Sequence, residues 1–178
     1  MTMQRREWLW AAGVAAVAAA GGAGYAAFLS RGSEGDFSSA EAALWSQAFD
    51  TPDGARLTLA DFRGKALVLN FWATWCPPCI REMPALERFQ RSHADRGWQV
   101  IGLAVDHAEP VRKFVAMTRI SFPVGLAGFA GIELSRRLGN SAGGLPFTLV
   151  IGRDRRVRQR RSGETNEAEL ARWAAEVG

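Results

Sequence analysis

Residues 66–72 read Ala-Leu-Val-Leu-Asn-Phe-Trp, an almost unbroken apolar run that predicts a strand covered on both faces. A second run of this kind at residues 100–105 predicts a neighbouring strand that ends at Asp106. Between them, Ile80, Met83, Leu86 and Phe89 recur every three or four positions with Glu87, Arg88 and Arg91 interposed, which predicts an amphipathic helix from Cys76 to about His93. Downstream the pattern predicts a helix over 110–117 opened by Pro110, a short strand near 122–124, and a helix over 132–138 closed by Gly139. Residues 147–151 follow Pro146 as a strand, Gly152-Arg153-Asp154 turns the chain, and residues 157–162 return as the edge strand of a hairpin. Asn166 caps a last helix through Glu176 with Leu170 and Trp173 inward. Upstream, Leu57, Leu59 and Phe62 alternate with polar residues before Gly64-Lys65. Strands alternating with helices predict an α/β fold: a central mixed β-sheet flanked by helices on both faces and closed by an antiparallel hairpin.

Residues 8–29 break this pattern, because all 22 are uncharged, with Arg5 and Arg6 before them and a polar stretch after them. That length spans a bilayer, and the preceding arginines place the N-terminus on the cytoplasmic side. Only five of the 22 are Leu, Ile, Val or Phe, so insertion is weakly driven, and a cleaved export signal or a buried cytosolic helix stays open. Arg5-Arg6-Glu7-Trp8-Leu9 also resembles a twin-arginine export signal. The division expected is a membrane anchor or export signal at 1–29, a Gly/Ser-rich linker at 30–39 and one folded domain at 40–178. Anchor and signal alike put that domain on the periplasmic side of a bacterial inner membrane, the anchor making the membrane itself a partner.

A 178-residue chain with 48% hydrophobic and 22% charged residues suits one globular domain and excludes disordered and fibrous classes. Its net charge of +4 owes much to one run, Arg153, Arg155, Arg156, Arg158, Arg160 and Arg161. No nucleic-acid motif accompanies the run, so no nucleic-acid partner is expected. On an edge strand these arginines discourage edge-to-edge pairing; contact with an acidic partner or anionic lipid is the sharper alternative.

The two cysteines lie three positions apart, in Trp75-Cys76-Pro77-Pro78-Cys79. A disulfide closing so short a loop contributes only about 2 kcal/mol by chain entropy, so the spacing points to chemistry rather than stapling. A Cys-x-x-Cys after a buried strand and at a helix start places the first sulfur where unpaired N–H groups and the helix dipole favour an anion. Cys76 is therefore the expected nucleophile, with a lowered pKa, and Cys79 the resolving thiol. Pro77 and Pro78 each remove an N–H from that first turn, which moderates the effect and favours a reductant over a strong oxidant. For a zinc site the only other soft ligands are His93, far along the helix, and His107, near the same sheet edge.

Residues 71–79, Phe-Trp-Ala-Thr-Trp-Cys-Pro-Pro-Cys, with Glu82-Met83-Pro84 and Gly144-Leu145-Pro146-Phe147-Thr148, closely resemble the membrane-anchored TlpA/ResA-like branch of the thioredoxin superfamily, over roughly residues 45–176. The resemblance implies a thioredoxin-like fold with that branch's helix-plus-strand insertion near 110–124. It also implies a protein-disulfide reductase with no cofactor beyond the Cys76–Cys79 pair. Its substrates would be disulfide-containing extracytoplasmic proteins, cytochrome c maturation among the pathways, and its electron donor a membrane thiol reductase. Pro146 matches the family's cis-proline, and the backbone of Leu145 would bind an extended substrate chain as an added strand. Glu82 matches an acidic residue that tunes proton transfer at the pair, and three residues after Cys79 it can share that face of the helix; an ordinary exposed helix carboxylate is the alternative. Pro84 matches a helix-kinking proline, and Trp72 and Trp75 match the aromatics flanking the motif, shielding the sulfurs or filling core. Plain thioredoxins carry a buried Asp where this chain has Asn70, so Glu82 or water must take the proton of Cys79. From other classes come a Cu(I) metallochaperone using the two thiolates, against which the short spacing speaks, and a thiol peroxidase, which would want a Thr at the place of Ala73.

Overall fold

The computed structural model of the protein describes residues 39–177. The anchor or export signal expected at 1–29, and all of the expected linker but Ser39, lie outside the described residues. Ala40–Gly178 is one compact unit. After a helical stretch at residues 39–44, the elements run β1 (Ala48–Asp50), β2 (Arg56–Thr58), β3 (Ala66–Trp72), α1 (Pro77–His93), β4 (Trp98–Ala104), α2 (Ala108–Thr118), β5 (Val124–Leu126), α3 (Ala130–Arg137), β6 (Phe147–Ile151), β7 (Val157–Ser162) and α4 (Glu167–Val177). Among the described residues no helix is long and apolar enough to cross a membrane.

All seven residues of β3 are buried, and their alternation divides the core in two. Ala66, Val68 and Trp72 join Met83, Leu86 and Phe89 of α1 and Leu170 and Trp173 of α4 on one face. Leu67, Leu69 and Phe71 face the other way, among Leu44, Trp45, Leu59 and Leu138. A two-residue period carrying apolar side chains to both faces is what a strand between two helical layers requires. The sheet has the order β2-β1-β5-β4-β3-β6-β7. β3, β4 and β5 are mutually parallel, while β6 runs antiparallel to β3 and β7 antiparallel to β6. This is the mixed, helix-flanked, thioredoxin-like sheet expected, and the segment after β4 forms α2 and lays β5 parallel against β4.

Several elements differ from the sequence pattern: β4 spans Trp98–Ala104 rather than 100–105, and α3 spans Ala130–Arg137 rather than 132–138. The helix expected from Pro110 begins at Ala108, because a proline is accommodated throughout a first turn whose N–H groups lack helical partners. The strand expected at 122–124 begins only at Val124, with Phe122 buried in the preceding loop. The β1–β2 hairpin was not anticipated: each strand has three residues, with only Phe49 and Leu57 buried, too few to show a period. On β7, Arg158 pairs with Asp154 at 2.6 Å, Arg160 with Glu41, and Arg161 with Glu169 at 3.5 Å. The arginine run is thus largely engaged within the fold at a sheet edge.

Gly102 of β4 stands beside Asn70 in register, on the face that holds Trp72. A Cβ there would meet Trp72 Nε1 at 2.9 Å and a Phe122 ring carbon at 3.3 Å. The Gly102→Ala substitution is expected to destabilise the protein by about 1–3 kcal/mol through overpacking, read as a lower denaturant midpoint at unchanged slope.

Candidate active site

Cys76 is the N-cap of α1, with extended backbone, φ −105° and ψ 102°. Pro77 and Pro78 fill the first two helical positions and donate nothing, so the first available amide is that of Cys79, which donates to Cys76 Sγ at 3.4 Å. The two sulfurs form a disulfide. Cys79 is fully buried, whereas Cys76 keeps 5% of its surface and is the sulfur an incoming reagent can reach.

The turn into this helix is held from the next strand. Asp106, at the end of β4, accepts from the Thr74 backbone N–H at 2.9 Å and from the Thr74 hydroxyl at 2.6 Å through one oxygen, and from the His107 N–H at 2.8 Å through the other. A buried carboxylate with three donors fixes the approach to Trp75 and Cys76. Sequence reasoning saw Asp106 only as a strand end. The signal available was an acidic residue closing a strand parallel to the one that carries the motif.

Glu82 is not an exposed helix carboxylate: it retains 1% of its surface. One turn beyond Cys79, it points at the sheet, where Oε1 accepts from Asn70 Nδ2 at 2.8 Å and Oε2 from the Thr165 backbone N–H at 2.8 Å. Burial pushes its pKa from 4.5 up to about 7; the bonds from Thr165 and Asn70 oppose the rise, as does nearby Arg161, while Glu164 adds to it. Asn70 also donates to Thr148 Oγ1 at 3.0 Å, its direct register partner on β6. Sequence reasoning named Asn70 only as the replacement of an Asp, and it missed Thr148 and Thr165.

The Leu145–Pro146 peptide bond is cis. Pro146 is buried, and half-buried Leu145 packs against the hydrophobic cluster that contains Cys76 and Cys79. The loop leading to it is pinned by Asn140, also missed, whose Nδ2 donates to Gly144 O at 2.8 Å and to Ser135 Oγ at 3.1 Å. The two flanking tryptophans separate: Trp72 is fully buried core, and Trp75 is 57% exposed. Pro84 lies inside α1. His93 stacks on Phe89 at 4.3 Å, roughly 25 Å along the helix from Cys76, and His107 occupies the N-cap position of α2 without a side-chain cap bond, its ring edge-on to Phe129 at 5.6 Å. Among the described residues no group of three or more His, Cys, Asp or Glu is placed to hold a metal ion.

Comparison with known proteins agrees with this geometry. The Redoxin family model matches residues 36–175. The chain is 32% identical over 126 residues to the thiol-disulfide oxidoreductase ResA of Bacillus thuringiensis subsp. konkukian, covering 70% of each chain. It is 41% identical over 78 residues to the thioredoxin-like protein YneN of Bacillus subtilis, covering 42% of this chain and 45% of that one. The crystal structure of a thiol:disulfide interchange protein of the thioredoxin family from Chlorobium tepidum TLS superposes with a TM-score of 0.65 at 31% identity, covering 74% of this chain and 92% of that one.

The raised pKa of Glu82 makes stability depend on pH. Below pH 4.5 the group is neutral in the folded and unfolded chain alike and contributes no difference; between 4.5 and about 7 the folded protein holds a proton that the unfolded chain has lost. Stability therefore falls as pH rises through that window and levels off above it, by about 3 kcal/mol for a shift of this size. Urea unfolding of the oxidised protein at about pH 5 and about pH 8 should show this loss in the wild type and little of it in Glu82→Gln.

Proposed function

The chain belongs to the Redoxin family and is a ResA-like thiol-disulfide oxidoreductase of the thioredoxin superfamily, and on that premise we propose that it works as an extracytoplasmic reductant of protein disulfides. The observation that carries this reading is the Cys76–Cys79 disulfide at the N-terminus of α1 with a buried carboxylate one turn below. In the reduced protein the Cys76 thiolate attacks one sulfur of a substrate disulfide; a bond forms from Cys76 Sγ to that sulfur, and the other substrate sulfur leaves as a thiolate. Cys79 gives its proton to Glu82 and attacks Cys76 Sγ, releasing the second substrate thiolate and closing the protein's own disulfide. Two electrons pass from the Cys76–Cys79 dithiol to the substrate, and no cofactor besides the pair takes part. Glu82 suits the proton step because a carboxylate with a pKa of about 7 both accepts and releases a proton near neutrality.

Three residues shape access. The Cys79 amide is the donor that meets a Cys76 thiolate in place of the two missing proline N–H groups. Leu145 and Pro146 present backbone to a substrate strand; neither the N–H nor the carbonyl of Leu145 has a backbone partner among the described residues. Trp75, exposed beside Cys76, covers the apolar flank of a bound peptide. The substrates are disulfide-bearing extracytoplasmic proteins, those of cytochrome c maturation among them. A membrane thiol reductase restores the dithiol, and the uncharged segment at 8–29 supports placement at the periplasmic face of the inner membrane.

Equilibration of the full-length protein with thiol/disulfide buffers should give a reduction potential near about −270 mV. A value near about −120 mV would make it a disulfide donor and reverse the direction. Cys79→Ser should accumulate mixed disulfides through Cys76, and Cys76→Ser should form none; equal trapping by both would remove the assigned order of attack.

A further inference from the structure

Asn70 is fully buried between Glu82 and Thr148, and its two ends are treated differently. Nδ2 donates to Glu82 Oε1 at 2.8 Å and to Thr148 Oγ1 at 3.0 Å, while Oδ1 is buried without a hydrogen-bond partner among the described residues. A side-chain amide is oriented by the hydrogen bonds around it. Because no described residue engages the far end of this one, Glu82 and Thr148 are the groups among the described residues that decide which way it faces.

A charged Glu82 only accepts, so the NH2 group must face it. A neutral Glu82 carries one O–H. Its Oε2 is committed to accepting from the Thr165 N–H, so the proton resides on Oε1, facing Asn70. Donor would then oppose donor at 2.8 Å, between side chains that retain 0% and 1% of their surface. A half-turn of the amide resolves the conflict: Oδ1 takes the place of Nδ2, accepts from Glu82, and accepts also from the Thr148 hydroxyl, which can rotate to donate.

We propose that Asn70 is a proton-linked positioning residue whose amide turns over when Glu82 gains or loses its proton, so that one side chain supports both forms of the acid. This rests on the reading of Glu82 as the proton partner of Cys79. As donor, Asn70 stabilises the carboxylate that takes the proton; as acceptor, it stabilises the acid that holds it, and the strand itself need not move. The other groups facing Glu82 do not change role: Thr165 donates from the segment before α4, Arg161 of β7 and Glu164 act at a distance with opposite signs, and Glu164 is itself paired with Arg81 of α1 at 2.7 Å. Cys79, on the same helix, is the remaining titratable neighbour in the reduced protein.

The test is solution NMR of the full-length oxidised protein. At about pH 9 the Asn70 Nδ2 protons should show nuclear Overhauser contacts to Thr148 and a downfield shift; at about pH 5 both should be lost, with the midpoint of the Glu82 carboxyl-carbon titration. Glu82→Gln, a permanently neutral analogue that can donate from Nε2 and accept from Thr165, should hold the turned-over state at both pH values. Contacts to Thr148 that persist unchanged across the range, or in Glu82→Gln, overturn the switch. Loss of a fixed donor would remove support from the carboxylate alone, so in reduced Asn70→Leu protein it would raise the pH midpoint for release of a Cys76 mixed disulfide by about one unit. Loss of an amide that supports both forms should leave that midpoint nearly in place. A rise of about a full unit would also overturn the switch. The underlying reading of Glu82 fails separately, if Glu82→Gln releases the mixed disulfide with the rate and pH profile of the wild type.

Discussion

The hydrogen bond between Glu82 and Asn70 joins the helix that carries the disulfide to β3, an interior strand of the sheet, and it does so from inside the core. Burying a carboxylate is costly unless its oxygens are met. Each oxygen of Glu82 has a donor, one from β3 and one from the segment leading into α4. Met83, Leu86 and Phe89 would hold α1 on this face without it, because apolar contacts are not directional. The polar contact fixes the rotation of the helix about its axis. It thereby fixes where Cys76 emerges and where Cys79 is covered.

The rest of the site is held in the same manner, by groups outside the motif. Asp106 closes the loop before Trp75 through three donors, and Asn140 holds the loop before Leu145 through two acceptors. Both loops leave the same edge of the sheet, one from the end of β3 and one at the start of antiparallel β6. Positioning by buried polar groups on rigid elements keeps the approach to Cys76 open while the backbone around it stays fixed. Trp75, the motif's exposed aromatic, stands outside this buried framework.

The strands and helices were legible because each long element shows its period: β3 and β4 as seven-residue buried runs, α1 as a row from Ile80 to Phe89. The three-residue strands β1 and β2 carry too few buried positions to be seen, and a proline near a helix start leaves the boundary open by a turn. The redox pair was legible from its spacing, and Leu145-Pro146 from a longer motif. Glu82 was ambiguous because helical spacing of three from Cys79 does not say which way a side chain faces across a helix covered on several sides. Thr148 and Thr165 were invisible for a different reason. Their partners lie 78 and 83 residues away, and only the antiparallel register of β6 on β3 and the return of the chain before α4 bring them to the site.

The same geometry explains why Asn rather than Asp occupies position 70 in a chain with Glu at 82. The two side chains meet at 2.8 Å, and among the described residues no cation is in hydrogen-bonding contact with either. Two carboxylates at that separation cannot both ionise, so one would be held protonated through the neutral range. Under the proposed function, an acid fixed in one state could not exchange a proton with Cys79 in each cycle. An amide adds no charge and can present either a donor or an acceptor, which leaves Glu82 as the acid beneath the disulfide among the described residues. Where plain thioredoxins keep their buried acid on the strand, this chain carries it on the helix one turn below the resolving cysteine. The strand position then becomes the place for a neutral residue that can serve both protonation states.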